Sequence, residues 1–89
     1  MTEDLRAIAE REVARVDMII ERMSVIDQDK AASLKGVLTS YHQDCKGFFQ
    51  TGQYLQCIET AFICWAYVDA GLHLKAFSIP EDMRDIFTV

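Results

Sequence analysis

The sequence predicts an all-α protein: an antiparallel, up-down-up three-helix bundle with a short C-terminal tail. Three observations predict it. Apolar residues recur at three- and four-residue steps through three long segments, which is the helical period. Punctuation is sparse, with one proline and four glycines in 89 residues. No segment alternates apolar and polar residues as a half-buried strand does.

The first helix is expected to begin after Thr2, a good N-cap, with Glu3 and Asp4 in a first turn where the helix dipole favours acids. Its stripe runs Leu5, Ile8, Ala9, Val13, Val16, Ile19, Ile20, Met23 and Ile26. Glu12 falls inside that stripe, with Arg15 one turn later to satisfy it. Asp27 or Asp29 caps the second helix, whose stripe is Ala31, Leu34, Val37, Leu38, Tyr41, Cys45, Phe48 and Phe49. Thr51-Gly52-Gln53 ends it, and Gly52 suits the left-handed position that follows a helix. So short a connection brings the third helix back antiparallel beside the second.

The third helix is expected over Gln53 to Ala76, with a main stripe of Tyr54, Ile58, Ala61, Phe62, Trp65, Val68, Leu72 and Ala76. Residues 1–77 thus make the bundle and 78–89 a tail. Ser78-Ile79-Pro80-Glu81 matches a capping box, and Met83, Ile86 and Phe87 of the tail are placed to fold back on the bundle or on a partner.

A second apolar stripe runs along the third helix. Ile63, Tyr67, Ala70 and Leu74 fall on the side away from Trp65, with Phe77 nearby. Either the tail covers this surface, or a homodimer or another protein does. Gly71 lies among these residues, where close approach of a second backbone would justify a glycine.

Charge narrows the function classes. The net charge is −5 and no segment is basic, which argues against nucleic-acid binding. No apolar run approaches the length of a bilayer-spanning helix, and the N-terminus lacks the layout of a secretory signal, so a cytoplasmic protein is expected. Three cysteines, Cys45, Cys57 and Cys64, imply no disulfide framework.

The spacing Tyr41-x-x-Asp44-x-x-x-Phe48-x-x-x-Gly52-x-Tyr54, followed by Trp65-Ala66-x-Val68-Asp69-Ala70-Gly71, resembles an archaeal family of small helical proteins, domain of unknown function 357. The ending Ile86-Phe87-Thr88-Val89 is similar to the tails of that family. The likeness covers the second and third helices; the first matches only in being amphipathic. It implies a three-helix bundle and an archaeal origin, and no activity. The chain departs from the family pattern at Gln53, Cys57 and Lys75, where that pattern favours aspartate, alanine and glycine.

Two carboxylates match the pattern, Asp44 and Asp69, and both flank the apolar stripes of adjacent helices. With Tyr41 and Trp65 they form the set of candidate buried polar residues. A partly buried carboxylate there could act as a base or bind a small ligand. Alternatively each holds a tyrosine hydroxyl, the indole N–H or a backbone N–H and fixes helix register. His42, Cys45, Cys57 and Cys64 contain no CxxC or HxxxH unit, so no metal site is expected, and the scattered glycines make no phosphate-cradling loop. No cofactor and no catalytic residue are assigned. The functional expectation is a non-enzymatic protein-interaction or structural module, with Ile63, Tyr67, Leu74 and Phe77 as interface candidates. The alternative is a small-ligand or catalytic site around Asp44 and Asp69.

Overall fold

A computed structural model describes residues 4–89. Three long helices pack against one another: α1 over Leu5–Arg22, α2 over Gln28–Gln50 and α3 over Tyr54–His73. The fold is the expected all-α three-helix bundle, measuring 42 × 25 × 17 Å. A 3₁₀ helix over Glu81–Ile86 follows α3.

The caps explain where each helix starts. Asp4 is itself the N-cap of α1, its carboxylate accepting the Arg6 N–H at 3.0 Å. The expected cap Thr2 and first-turn Glu3 lie outside the described residues. Asp27, rather than Asp29, caps α2 by accepting the Lys30 N–H at 3.1 Å. At the other end of α2, Gly52 adopts φ +77°, and the Gln53 N–H reaches back to the Phe48 carbonyl at 2.9 Å. This six-to-one bond closes a Schellman turn and sends α3 back along α2.

The third helix ends three residues earlier than expected. A second Schellman turn stops it: the Ala76 N–H bonds to the Gly71 carbonyl at 2.9 Å, and Lys75 takes the left-handed position at φ +60°. A lysine conceals this stop from the sequence, because glycine is the residue that advertises it. The chain then runs extended, and a small sheet forms that no alternation foretold. Its strands are β1 over Ser24–Val25, between α1 and α2, and β2 over Phe77–Ser78, antiparallel to it, with Val25 opposite Phe77. At two residues each, such strands are too short to show a period. The Ile26 N–H extends the tie to the Ala76 carbonyl at 2.9 Å.

The core lies along α3, which contacts both other helices more than they contact each other. Ala9, Val16 and Ile19 of α1, Ala31, Leu38 and Cys45 of α2, and Cys57, Ile58, Ala61, Cys64, Val68 and Leu72 of α3 are buried together. Four stripe residues stay outside it: Leu5, Ile26 and Phe62 are each about half exposed, and Val37 is exposed as well. Leu5 and Ile26 sit at or beyond the ends of α1, and Phe62 points away from both neighbouring helices. Ser78 makes no capping box, since Pro80 precedes the 3₁₀ helix without a side-chain cap.

Phe77 and Gly71 form the tightest junction. Phe77 is 2 % exposed, and an added Cβ at Gly71 would fall within the van der Waals envelope of its ring. The close approach at Gly71 is therefore internal, made by a side chain of the same chain. Gly71→Ala is expected to lower the unfolding free energy by about 1–3 kcal/mol, although alanine gains about 1 kcal/mol over glycine in an open helix. Lys75→Gly is expected to raise it by about 1 kcal/mol as the left-handed strain is removed. Urea melts of both variants beside the parent check the pair, and a shift of the same sign in both would overturn this account.

Candidate functional site

Asp69 is half-buried and spends its carboxylate on the tail. Its Oδ1 accepts the Thr88 backbone N–H at 3.1 Å, and the Thr88 hydroxyl donates to Oδ2 at 2.8 Å. With that proton given to Asp69, the Thr88 oxygen accepts Nε2–H of His73 at 2.6 Å. Asp69 and His73 are 4.0 Å apart, so the i, i+4 pair is bridged by the threonine. One turn earlier, Trp65 packs on Phe87 with ring centroids 5.4 Å apart. Met83 is buried at 2 % exposure, and the tail therefore folds back on the bundle.

Trp65 also carries the Arg15 guanidinium, 4.6 Å from its ring centroid. Arg15 reaches the buried Glu12 at 2.8 Å, as the one-turn spacing suggested. Glu12 Oε1 and Trp65 Nε1 are buried atoms without a hydrogen-bond partner among the described residues. Glu12 lies inside the α1 stripe, as its position in the periodicity indicates, and is 3 % exposed.

Asp44 is exposed, which corrects its place among the buried polar residues. Cys45 takes the inward position on that turn of α2 and leaves Asp44 on the solvent side. There it lines a shallow groove with Gln43, Gly47, Phe48, Thr51 and Gln53. Asp69 lines a different groove, of about 200 Å³, with Trp65, Ala66, Ile86, Phe87 and Thr88. Tyr41, half-buried, stacks on Tyr67 with centroids 5.9 Å apart and belongs to the α2–α3 seam. The four residues are thus divided among three places.

The thiols lie in the core. Cys45 Sγ is 3.7 Å from Cys57 Sγ and donates to the Cys57 carbonyl at 3.4 Å. Burial pushes the Cys57 and Cys64 thiols up from 9.0 to about 12, and burial also raises Cys45. His42 turns away from them to Asp17 of α1, at 2.5 Å. Among the described residues no group of three or more His, Cys, Asp or Glu side chains is arranged to hold a metal ion.

The outward face of α3 is the remaining candidate. Leu55, Phe62 and Leu74 are 55 %, 57 % and 55 % exposed, and Ala66 and Ala70 beside them are exposed as well. Of the interface candidates, Leu74 lies fully on this face, Ile63 and Tyr67 are half-buried at its edge, and Phe77 is covered. Tyr67 loses its outward position to Tyr41, and Phe77 to the junction at Gly71. The periodicity places Phe62 on the inward stripe and leaves Leu55 out of it, whereas the fold turns both outward. Their seven-residue spacing, two helical turns along one face, was the available signal.

No family model matches the sequence, and comparison with curated proteins and with solved structures gives no match. No helix of the described residues is long and apolar enough to cross a membrane.

Three outcomes are expected. At pH 8 a disulfide reagent should leave all three thiols of the folded protein unmodified over minutes and titrate three after denaturation; a fast thiol in the native state would contradict the burial. Because the folded state holds these protons more tightly, stability is undiminished below about pH 9 and falls as pH rises from 9 towards 12. Asp69→Ala should cost about 1–2 kcal/mol and shift the emission of the single tryptophan to the red as Phe87 leaves Trp65. Unchanged emission would show that the tail is held by other contacts.

Proposed function

We propose that this protein is a non-enzymatic interaction module that engages another protein through the outward face of α3. One observation carries the reading: Leu55 and Phe62, two turns apart on α3, and Leu74 at its C-cap are large apolar side chains more than half exposed. Isolated exposed apolar residues are ordinary, but here Phe62 and Leu74 are joined by the exposed Ala66 and Ala70, which points to a contact surface. The polar candidates support the same reading from the other side. Asp69 is engaged with Thr88, and Asp44 shares no groove with it.

The likeness to domain of unknown function 357 belongs to this proposal. Of the residues that carry the likeness, Gly52 makes the α2–α3 turn and Gly71 receives Phe77.

The test is Phe62→Glu and Leu74→Glu, compared with the parent by sedimentation and by tagged pull-down. Both positions are solvent-exposed, so helical circular dichroism should be unchanged. At least one variant should lose a partner or reduce the association state. If both assemble as the parent does, the reading fails.

A further inference from the structure

We propose that Cys45 and Cys57 are a redox pair, which a peroxide converts to a disulfide that locks α2 to α3 beside the turn joining them.

Geometry selects the pair. Cys45 Sγ lies 3.7 Å from Cys57 Sγ, in contact with it, and reaches the Cys57 carbonyl at 3.4 Å. Both residues are 0 % exposed, so the two sulfurs meet inside the α2–α3 seam. A disulfide bond is about 2.0 Å long, so the sulfurs must close by about 1.7 Å, a movement within reach of side-chain rotation. Cys64, seven residues on, lies about 10 Å further along the axis of α3. That separation keeps it out of bonding range of a Cys45 seated on Cys57. The third thiol is therefore left over.

The surroundings divide the roles. Burial raises both thiols, but the Cys57 S–H and the Thr60 hydroxyl donate to a Cys45 thiolate and offset part of that cost. The same thiol–thiol hydrogen bond raises Cys57 further. Cys45 is thus the nucleophile and Cys57 the resolving thiol. The Cys45 thiolate attacks one peroxide oxygen: an S–O bond forms, the O–O bond breaks, and the departing hydroxide takes the proton that Cys45 lost, leaving as water. The Cys57 sulfur then attacks the Cys45 sulfenic acid. The S–S bond forms, the S–O bond breaks, and the second hydroxide leaves with the Cys57 proton as water. Two electrons pass from the pair to the peroxide.

Access and consequence follow from position. The pair sits within two turns of Gln50 and one turn of Tyr54, near the end of the hairpin. Hydrogen peroxide is close to water in size, so a small local opening admits it, whereas a bulky disulfide reagent needs a wider one. The reaction is accordingly slow. The new bond closes the loop from Cys45 to Cys57 and removes freedom from the unfolded chain, so the oxidised protein resists unfolding more than the reduced one.

Excess hydrogen peroxide added to the folded, reduced protein tests the pair. After several hours and removal of the peroxide, a thiol reagent added with denaturant should titrate one thiol in place of three. The chain should run as a monomer without reductant and melt at higher urea. Dithiothreitol should restore both the three thiols and the original midpoint. Cys64→Ala should form the bond as the parent does, whereas Cys57→Ala should form none and show no rise in midpoint. Circular dichroism checks that both variants fold, and the parent experiment stands without them. Three thiols persisting in the treated parent overturn the proposal, as do linked dimers, a bond formed in Cys57→Ala, or thiol loss that dithiothreitol does not reverse.

Discussion

Everything in this fold depends on α3 being packed between two helices that scarcely meet. A helix in the usual surface position buries one stripe and solvates the rest. Here Val16, Ile19 and Ile20 of α1 close on Cys64, Trp65 and Val68, while Tyr41, Phe49 and Cys45 of α2 close on Tyr67, Tyr54 and Cys57. Two burial stripes on one helix force most of its circumference to be apolar. Small side chains between them, Ala61, Cys57 and Cys64, let both neighbours approach. What joins α1 to α2 directly includes a polar contact, His42 to Asp17, at the rim of the core.

The chain after α3 completes what three short helices cannot close alone. Gly71 and Phe77 bring the exit strand against the helix it has just left, and pairing of Val25 with Phe77 ties that strand to the α1–α2 connection. Met83, Phe87 and Thr88 then cover the α3 side that α1 leaves open. Arg22 and Asp82, 3.0 Å apart, join the 3₁₀ helix to the end of α1, but both are exposed and such pairs contribute little. The stabilising element is the apolar burial beneath. Asp69 acts here as a clasp, with a carboxylate receiving the backbone N–H and hydroxyl of a threonine nineteen positions away.

How much of this was legible follows from how each feature is encoded. The three helices repeat their signal every turn, and Gly52 has a strong backbone preference, so both could be read. The α2 cap narrows only to Asp27 or Asp29, since either carboxylate could accept the first N–H groups. The end of α3 could not, because Lys75 occupies a left-handed position that a lysine does not announce. The two-residue strands carry no period at all, and their pairing depends on tertiary closure. Asp44 and Asp69 looked equivalent in the sequence, since each flanks a stripe. Only the path of the tail separates them, taking Thr88 to Asp69 and leaving Asp44 to solvent. Phe62 was assigned inward because a helical wheel gives angle but not the direction from which neighbours arrive.

The outward position of Phe62 bears on function. Once α1, α2 and the tail have each taken a side of α3, a fourth side is left, and it is still apolar. The solvent side of α2 shows what an unpartnered surface looks like in this chain: Lys30, Lys35, Gln43, Asp44 and Lys46 are all exposed there. The corresponding side of α3 holds Leu55, Phe62, Ala66, Ala70 and Leu74, with Glu59 and His73 towards its two ends. Two helices of similar length in one small protein experience the same solvent. The two helices thus meet the same solvent with faces of different composition, and that asymmetry is what the proposed interaction rests on.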